Sequence, residues 1–105
     1  MAYKIVWTKE AYDTFDEIIE YLKNKWSEKV VSEFVTKTNR KLLLLSQYPQ
    51  MYPVISKTGK RRKAVIHKRI LVFYKSNQRR KEVELMFLLE HLPKSPSVKI
   101  LVASV

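Results

Sequence analysis

The sequence predicts an α+β fold, a two-layer βααβββ sandwich in which a helical hairpin packs on a small antiparallel sheet. Three observations predict it. Apolar residues recur at spacings of three and four as far as about Gln47, and from Arg61 onward the period changes to two. The two helical stretches are separated by only a residue or two, so they must fold back on each other. The strands that follow have one apolar face, and the helical hairpin is the element available to cover it.

Each element has its own signal. "YKIVW" at 3–7 is a short run of β-formers, and Thr8 after it is an N-cap for the helix that begins there. In that helix Ala11, Phe15, Ile18, Ile19, Leu22 and Trp26 form one stripe. Asp13, Asp16, Glu17 and Glu20 lie on the opposite, solvated face, toward the helix's positive N-terminal half. Ser27 is a second cap, and Val31, Phe34, Val35, Thr38, Leu42 and Leu45 carry the next helix to about Gln47. Pro49 and Pro53 stop it, and a loop follows that closes at Gly59. "RRKAVIH", "RILVFYKS" and "VELMFLLE" then read as three strands, with turns near Lys68 and at "NQRRK". Residues 1–92 make one domain. Residues 93–105, "PKSPSVKILVASV", are a C-terminal tail, either an added edge strand or a segment that docks on another chain.

Composition bounds the function. A chain of 105 residues with 46% hydrophobic content is long enough to bury roughly two-thirds of its unfolded surface in one core. It has no cysteine, which removes disulfides and thiolate metal sites and fits a reducing cytoplasm. The N-terminus lacks the basic and apolar segments of a signal peptide, and no apolar run approaches the ~20 residues of a membrane span. A soluble cytoplasmic protein with no membrane partner is expected. Its single glycine excludes Walker loops and dinucleotide fingerprints, and its two histidines, His67 and His91, offer no metal-ligand spacing. No cofactor and no metal are expected.

The net charge of +11 is unevenly placed. Seven of the ten carboxylates lie at or before Glu33, and none falls between Phe34 and Lys81, where fourteen Lys or Arg occur. Such a block makes an extended positive surface suited to nucleic acid, ribosome, an anionic membrane surface or an acidic protein partner. On the predicted strands Arg61, Lys63, Val65 and His67 share one face and Arg62, Ala64 and Ile66 the other. With one sheet face left open, that face is expected to carry the basic residues. Arg61, Arg62, Lys63, Lys68 and Arg69 are candidates for holding a phosphate, and His67, His91 or Tyr74 for moving a proton. Tyr74 reads equally well as a core aromatic, and either histidine as a rim residue.

At this point the chain resembles the RelE/ParE superfamily of bacterial toxins from type II toxin-antitoxin modules. "IVWTKEAYDTFDEIIEYL" is similar to the family's opening strand and first helix, "FVTKTNRKLLLLSQYPQMYP" to its second helix, and "RRKAVIHKRILVFYK" to its basic middle strands. The resemblance implies a growth-inhibiting toxin neutralised by a cognate antitoxin, with higher-order toxin-antitoxin oligomers possible for the pair. It implies one of two targets. RelE-like members cleave mRNA in the ribosome without a metal, whereas ParE-like members poison DNA gyrase and are not nucleases. An inactive or binding-only member is a third reading. Arg62, Arg69 and His91 are the catalytic candidates if the chain is an enzyme, and Arg61, Lys63, His67, Lys68 and Tyr74 the target-binding ones. A hydrophobic groove beside Trp26, Phe34 and Val35 is the expected antitoxin site. The family's fourth strand commonly runs into a D-x-R-Q-N-P-like segment; aligned on Pro93, its arginine position is Glu90 here. A carboxylate there repels a substrate phosphate, so nuclease chemistry would need a rearranged site.

Overall fold

A computed structural model describes residues 2–55, 59–67 and 70–90 of the chain. The element order is β1 (Lys4–Trp7), α1 (Lys9–Lys25), α2 (Glu28–Gln47), β2 (Arg62–His67), β3 (Ile70–Asn77) and β4 (Glu82–Glu90). This is the βααβββ order expected, and both helices pack on one face of the sheet. The sheet order is β1-β4-β3-β2. β2, β3 and β4 form the antiparallel meander, but β1 pairs parallel with β4, Ile5 opposite Val83 and Trp7 opposite Leu85. The sheet is therefore mixed, where a wholly antiparallel one was expected. A first strand that leads directly into a covering helix returns to the sheet only through that long crossover. The tail from residue 93 lies outside the described residues.

The caps are the ones the sequence marks. Thr8 Oγ1 accepts the N–H of Ala11, and Ser27 Oγ accepts that of Val30. Trp26 is not on the α1 stripe as expected: it is the C-terminal cap of α1, with extended φ, and is 61% exposed. The stripe itself is bedded in the core through Ala11, Ile18 and Leu22, and Phe34, Thr38, Leu42 and Leu45 meet it from α2. Trp7, Phe15 and Phe34 stitch β1, α1 and α2 together, with Trp7 edge-on to Phe15 at 5.3 Å and Phe15 against Phe34 at 5.3 Å.

Beyond Trp7, β4 has no strand on its outer side, and α1 fills the place. Thr8 Oγ1 donates to the carbonyls of Leu85 and Met86, at 2.7 and 3.0 Å. One turn and a half later Thr14 Oγ1 accepts the N–H of Leu88 at 2.9 Å. Between these two clamps β4 bulges: Tyr74 faces Leu85 but Phe73 faces Phe87, leaving Met86 as the extra residue. The bulge reverses the alternation, so that Val83, Leu85 and Leu88 all reach the core. α1 thus protects an edge whose backbone groups would otherwise be open.

Candidate functional site

The open face of the sheet is banded, as its register shows. At the end nearest the β3–β4 turn, Val6, Glu84 and Lys75 lie side by side. In the middle Phe87, Phe73 and Lys63 follow, and at the far end Leu89, Leu71 and Val65. Phe73 and Phe87 stack at 4.5 Å, and the Arg61 guanidinium sits 5.8 Å from the centre of the Phe87 ring. Arg61 Nε is buried with no hydrogen-bond partner among the described residues, and the Phe87 ring offers its guanidinium a cation–π contact. The face expected to carry the basic residues does carry Arg61, Lys63 and Lys75, but an aromatic and aliphatic band that was not expected runs between them. Continuous apolar runs in β3 and β4 put Leu71, Phe73, Phe87 and Leu89 outward as well as filling the core.

Arg62 faces the other way. It lies opposite Tyr74 in the register and its guanidinium donates to the Tyr52 carbonyl. That bond fixes the loop after α2, together with Lys41 Nζ on the Tyr52 hydroxyl at 2.7 Å and Ile55 N–H on the Arg61 carbonyl at 2.7 Å. Tyr74 is fully buried, and its hydroxyl donates to the Pro49 carbonyl at 3.1 Å. Burial pushes its pKa up to about 12, against the opposing pull of Arg62. Tyr74 is thus a core residue that closes the loop, and the target-binding role expected of it is corrected on that ground: no target reaches a side chain with no exposed surface.

Of the catalytic candidates Arg62, Arg69 and His91, only Arg62 is among the described residues. Arg62 opens β2 and His67 closes it, about 16 Å apart at strand rise. Glu90, opposite Ile70, lies at the His67 end. Desolvation raises the Glu90 carboxyl above its ordinary value, so this anion is poorly accommodated where it sits. Lys68, Arg69 and His91 fall outside the described residues. Lys63 is exposed, on the rim of the band. Of the expected antitoxin site, Phe34 is fully buried beneath the helices and cannot line a groove, because its ring fills the space between α1 and the sheet. Val35 is half-buried against the core, and Trp26 stands exposed at the hairpin turn.

A cleft at the turn end of the sheet gathers Arg62 with four cations not named among the candidates. Its volume is about 900 Å³, and Lys60, Arg62, Lys75, Arg79 and Arg80 line it with Glu82 and Glu84. "NQRRK" read as a turn and nothing more. Its charge, with Lys75 just before it, was the available signal. Lys60 and Lys81 flank the cleft with left-handed backbones, φ 50° and 55°. The Arg80 N–H donates to Asn77 Oδ1 at 3.0 Å, which sets the turn.

The comparisons fit this architecture. The sequence model of the ParE toxin of the type II toxin-antitoxin system parDE matches residues 5–91. The chain belongs to the ParE toxin family. No curated protein matches it at a significant level. Among solved structures it is similar to the chromosomal ParDE toxin-antitoxin system from P. aeruginosa, with TM-score 0.70, 14% identity, and coverage of 87% of this chain and 98% of that one. It is also similar to the RelBE2 toxin-antitoxin complex from Mycobacterium tuberculosis, with TM-score 0.57, 13% identity, and coverage of 87% and 100%. A third likeness is to the conserved hypothetical protein HP0894 from Helicobacter pylori, with TM-score 0.55, 24% identity, and coverage of 85% and 94%. At these identities the structural likenesses speak for the fold. Among the described residues no helix is long and apolar enough to cross a membrane.

Proposed function

We propose that this ParE-family chain is a toxin that inhibits growth by binding its target, and that the target is DNA gyrase. One observation carries the choice of binding over cleavage. Among the described residues, groups that a metal-free RNA cleavage would draw on are engaged elsewhere: Tyr74 is buried with its hydroxyl committed to Pro49 and the Arg62 guanidinium donates to the Tyr52 carbonyl, while Glu90 stands at the position where the family resemblance puts a phosphate-holding arginine. The band of half-buried Phe73, Phe87 and Leu71 with exposed Val65, rimmed by Lys63, supports a protein target, since an apolar centre with a charged rim is how protein surfaces dock. A cognate antitoxin neutralises the toxin in the cytoplasm, and the structural likeness to ParDE and RelBE complexes supports such a partner. Trp26, with Val35 beside the hairpin, is the proposed anchor for it.

The test is to induce the chain alone in bacteria and follow a DNA-damage reporter while mapping RNA ends in the first minutes. A damage response with intact mRNA is expected. Codon-phased mRNA cuts would overturn the reading in favour of a ribosome-dependent nuclease.

A further inference from the structure

The cleft at the β3–β4 turn plays no part in the toxin reading, and its chemistry is specific enough to name a ligand class. We infer that it binds an oligophosphate anion, a chain of condensed phosphates that free polyphosphate or a nucleoside triphosphate could present.

Charge comes first. Five cations face two carboxylates across about 900 Å³, a volume within the range of pockets that hold small ligands. Among the described residues none of these seven groups is in an ion pair. Among the described residues the single pair is Lys9 with Asp13 on α1, at 2.9 Å. Lys75 and Glu84 are even register partners, yet they do not meet. The cleft therefore keeps a surplus of uncompensated positive charge that an entering anion would satisfy.

The kind of anion follows from the rest of the wall. Arg62, Arg79 and Arg80 present guanidinium forks, which match phosphate oxygens in pairs, and Ser76, Asn77 and Gln78 add neutral donors. No aromatic ring lines the cleft, so bases of a nucleic-acid strand would have nothing to stack on. The turn strands β3 and β4 are interior, the edge strands β1 and β2 reach the cleft only through Val6 and Arg62, and Val6 and Val54 are the apolar side chains an acidic peptide would find there. What remains is a compact, multiply charged ligand able to span several cations at once. The site is partly pre-set, because Arg62 is held by the Tyr52 carbonyl and the turn by Asn77.

The test is calorimetric titration of the purified full chain with tripolyphosphate, orthophosphate, ATP and AMP without divalent cations. Tripolyphosphate is expected to bind at least about tenfold more tightly than orthophosphate, and ATP more tightly than AMP by a similar factor. ATP equal to tripolyphosphate supports recognition of the phosphate chain alone, and ATP tighter supports a nucleotide as the source. R79Q with R80Q is expected to weaken tripolyphosphate at least about tenfold. K23Q with K25Q, which removes the same charge from the exposed end of α1, is expected to leave it unchanged. If R79Q with R80Q disturbs the turn, as its circular dichroism and Tm would reveal, K60Q with K75Q takes its place with the same expected loss. The inference is overturned if the α1 variant loses as much as the cleft variants, if orthophosphate binds as well as tripolyphosphate, or if a glutamate-rich peptide or single-stranded oligonucleotide of equal charge displaces tripolyphosphate at lower concentration. The growth and RNA-end test of the toxin reading is separate, so failure of one leaves the other standing.

Discussion

At the scale of the residue, the tyrosine and the glutamate of the meander show how burial decides a role. Tyr74 sits in a basic stretch of sequence that invites a catalytic reading, but its hydroxyl is a neutral donor that closes the loop at Pro49. Tyr74→Phe leaves that carbonyl unsatisfied and is expected to cost about 1–2 kcal/mol of stability without abolishing growth inhibition, as urea denaturation and induction would show. The raised pKa also has a signed consequence. Because the folded value of about 12 exceeds the unfolded one, this contribution is complete below the ordinary tyrosine range and is lost as pH rises through it toward 12, which a series of Tm measurements in alkali would trace. Glu90 has the same sign in acid. Its anion is disfavoured in the fold, so Glu90→Gln is expected to raise the urea midpoint at pH 7, and the gain should vanish below the ordinary carboxylate range. Neither residue's environment was legible from sequence: alternation on β3 assigns Tyr74 a face, but which face the helices cover and where the loop carbonyl arrives are tertiary facts.

At the scale of the element, the helices and their caps were legible because their signals are local. Thr8 and Ser27 each stand one residue before a periodic run, and both cap as their positions imply. They differ in what else they hold. Ser27→Ala is expected to cost about 1 kcal/mol, and Thr8→Ala about 2 kcal/mol or more, because Thr8 also satisfies two carbonyls of β4. Comparing the two variants in one denaturation series checks this. The bulge at Met86 was not legible. In "VELMFLLE" five apolar residues follow without interruption, so no period marks where the alternation reverses, and the hydroxyls that stabilise the reversal come from a helix more than seventy residues earlier. The parallel pairing of β1 was hidden for the same reason, since a four-residue strand has no pattern long enough to choose a neighbour.

At the scale of the whole molecule, the uneven charge seen in the sequence survives folding but divides. The carboxylates of α1 remain on its outer side, and among the described residues the basic block divides between α2, the open sheet face and the cleft at the turn. The apolar band on the open face was concealed by the density of Lys and Arg around it. Trp26, a stripe residue by spacing, projects from the hairpin instead, because the helix ends before its turn is complete. If it anchors the antitoxin, Trp26→Ala is expected to weaken that complex by about 2 kcal/mol or more, roughly thirtyfold, while Tm of the toxin alone changes little; titration of the purified partners would measure it.

The pairing of β1 with β4 also governs when the toxin comes into being. Residues 4–7 and 82–85 are at opposite ends of the domain, and Thr8 completes its hydrogen bonds only when Leu85 and Met86 arrive. A chain still emerging from the ribosome can form its helical hairpin early, but β4, which joins the two halves of the sheet, is the last of the described strands to be synthesised. Translation that stops short of β4 is therefore expected to yield a harmless fragment, and a cell making this protein gains a delay between committing to its synthesis and meeting its activity.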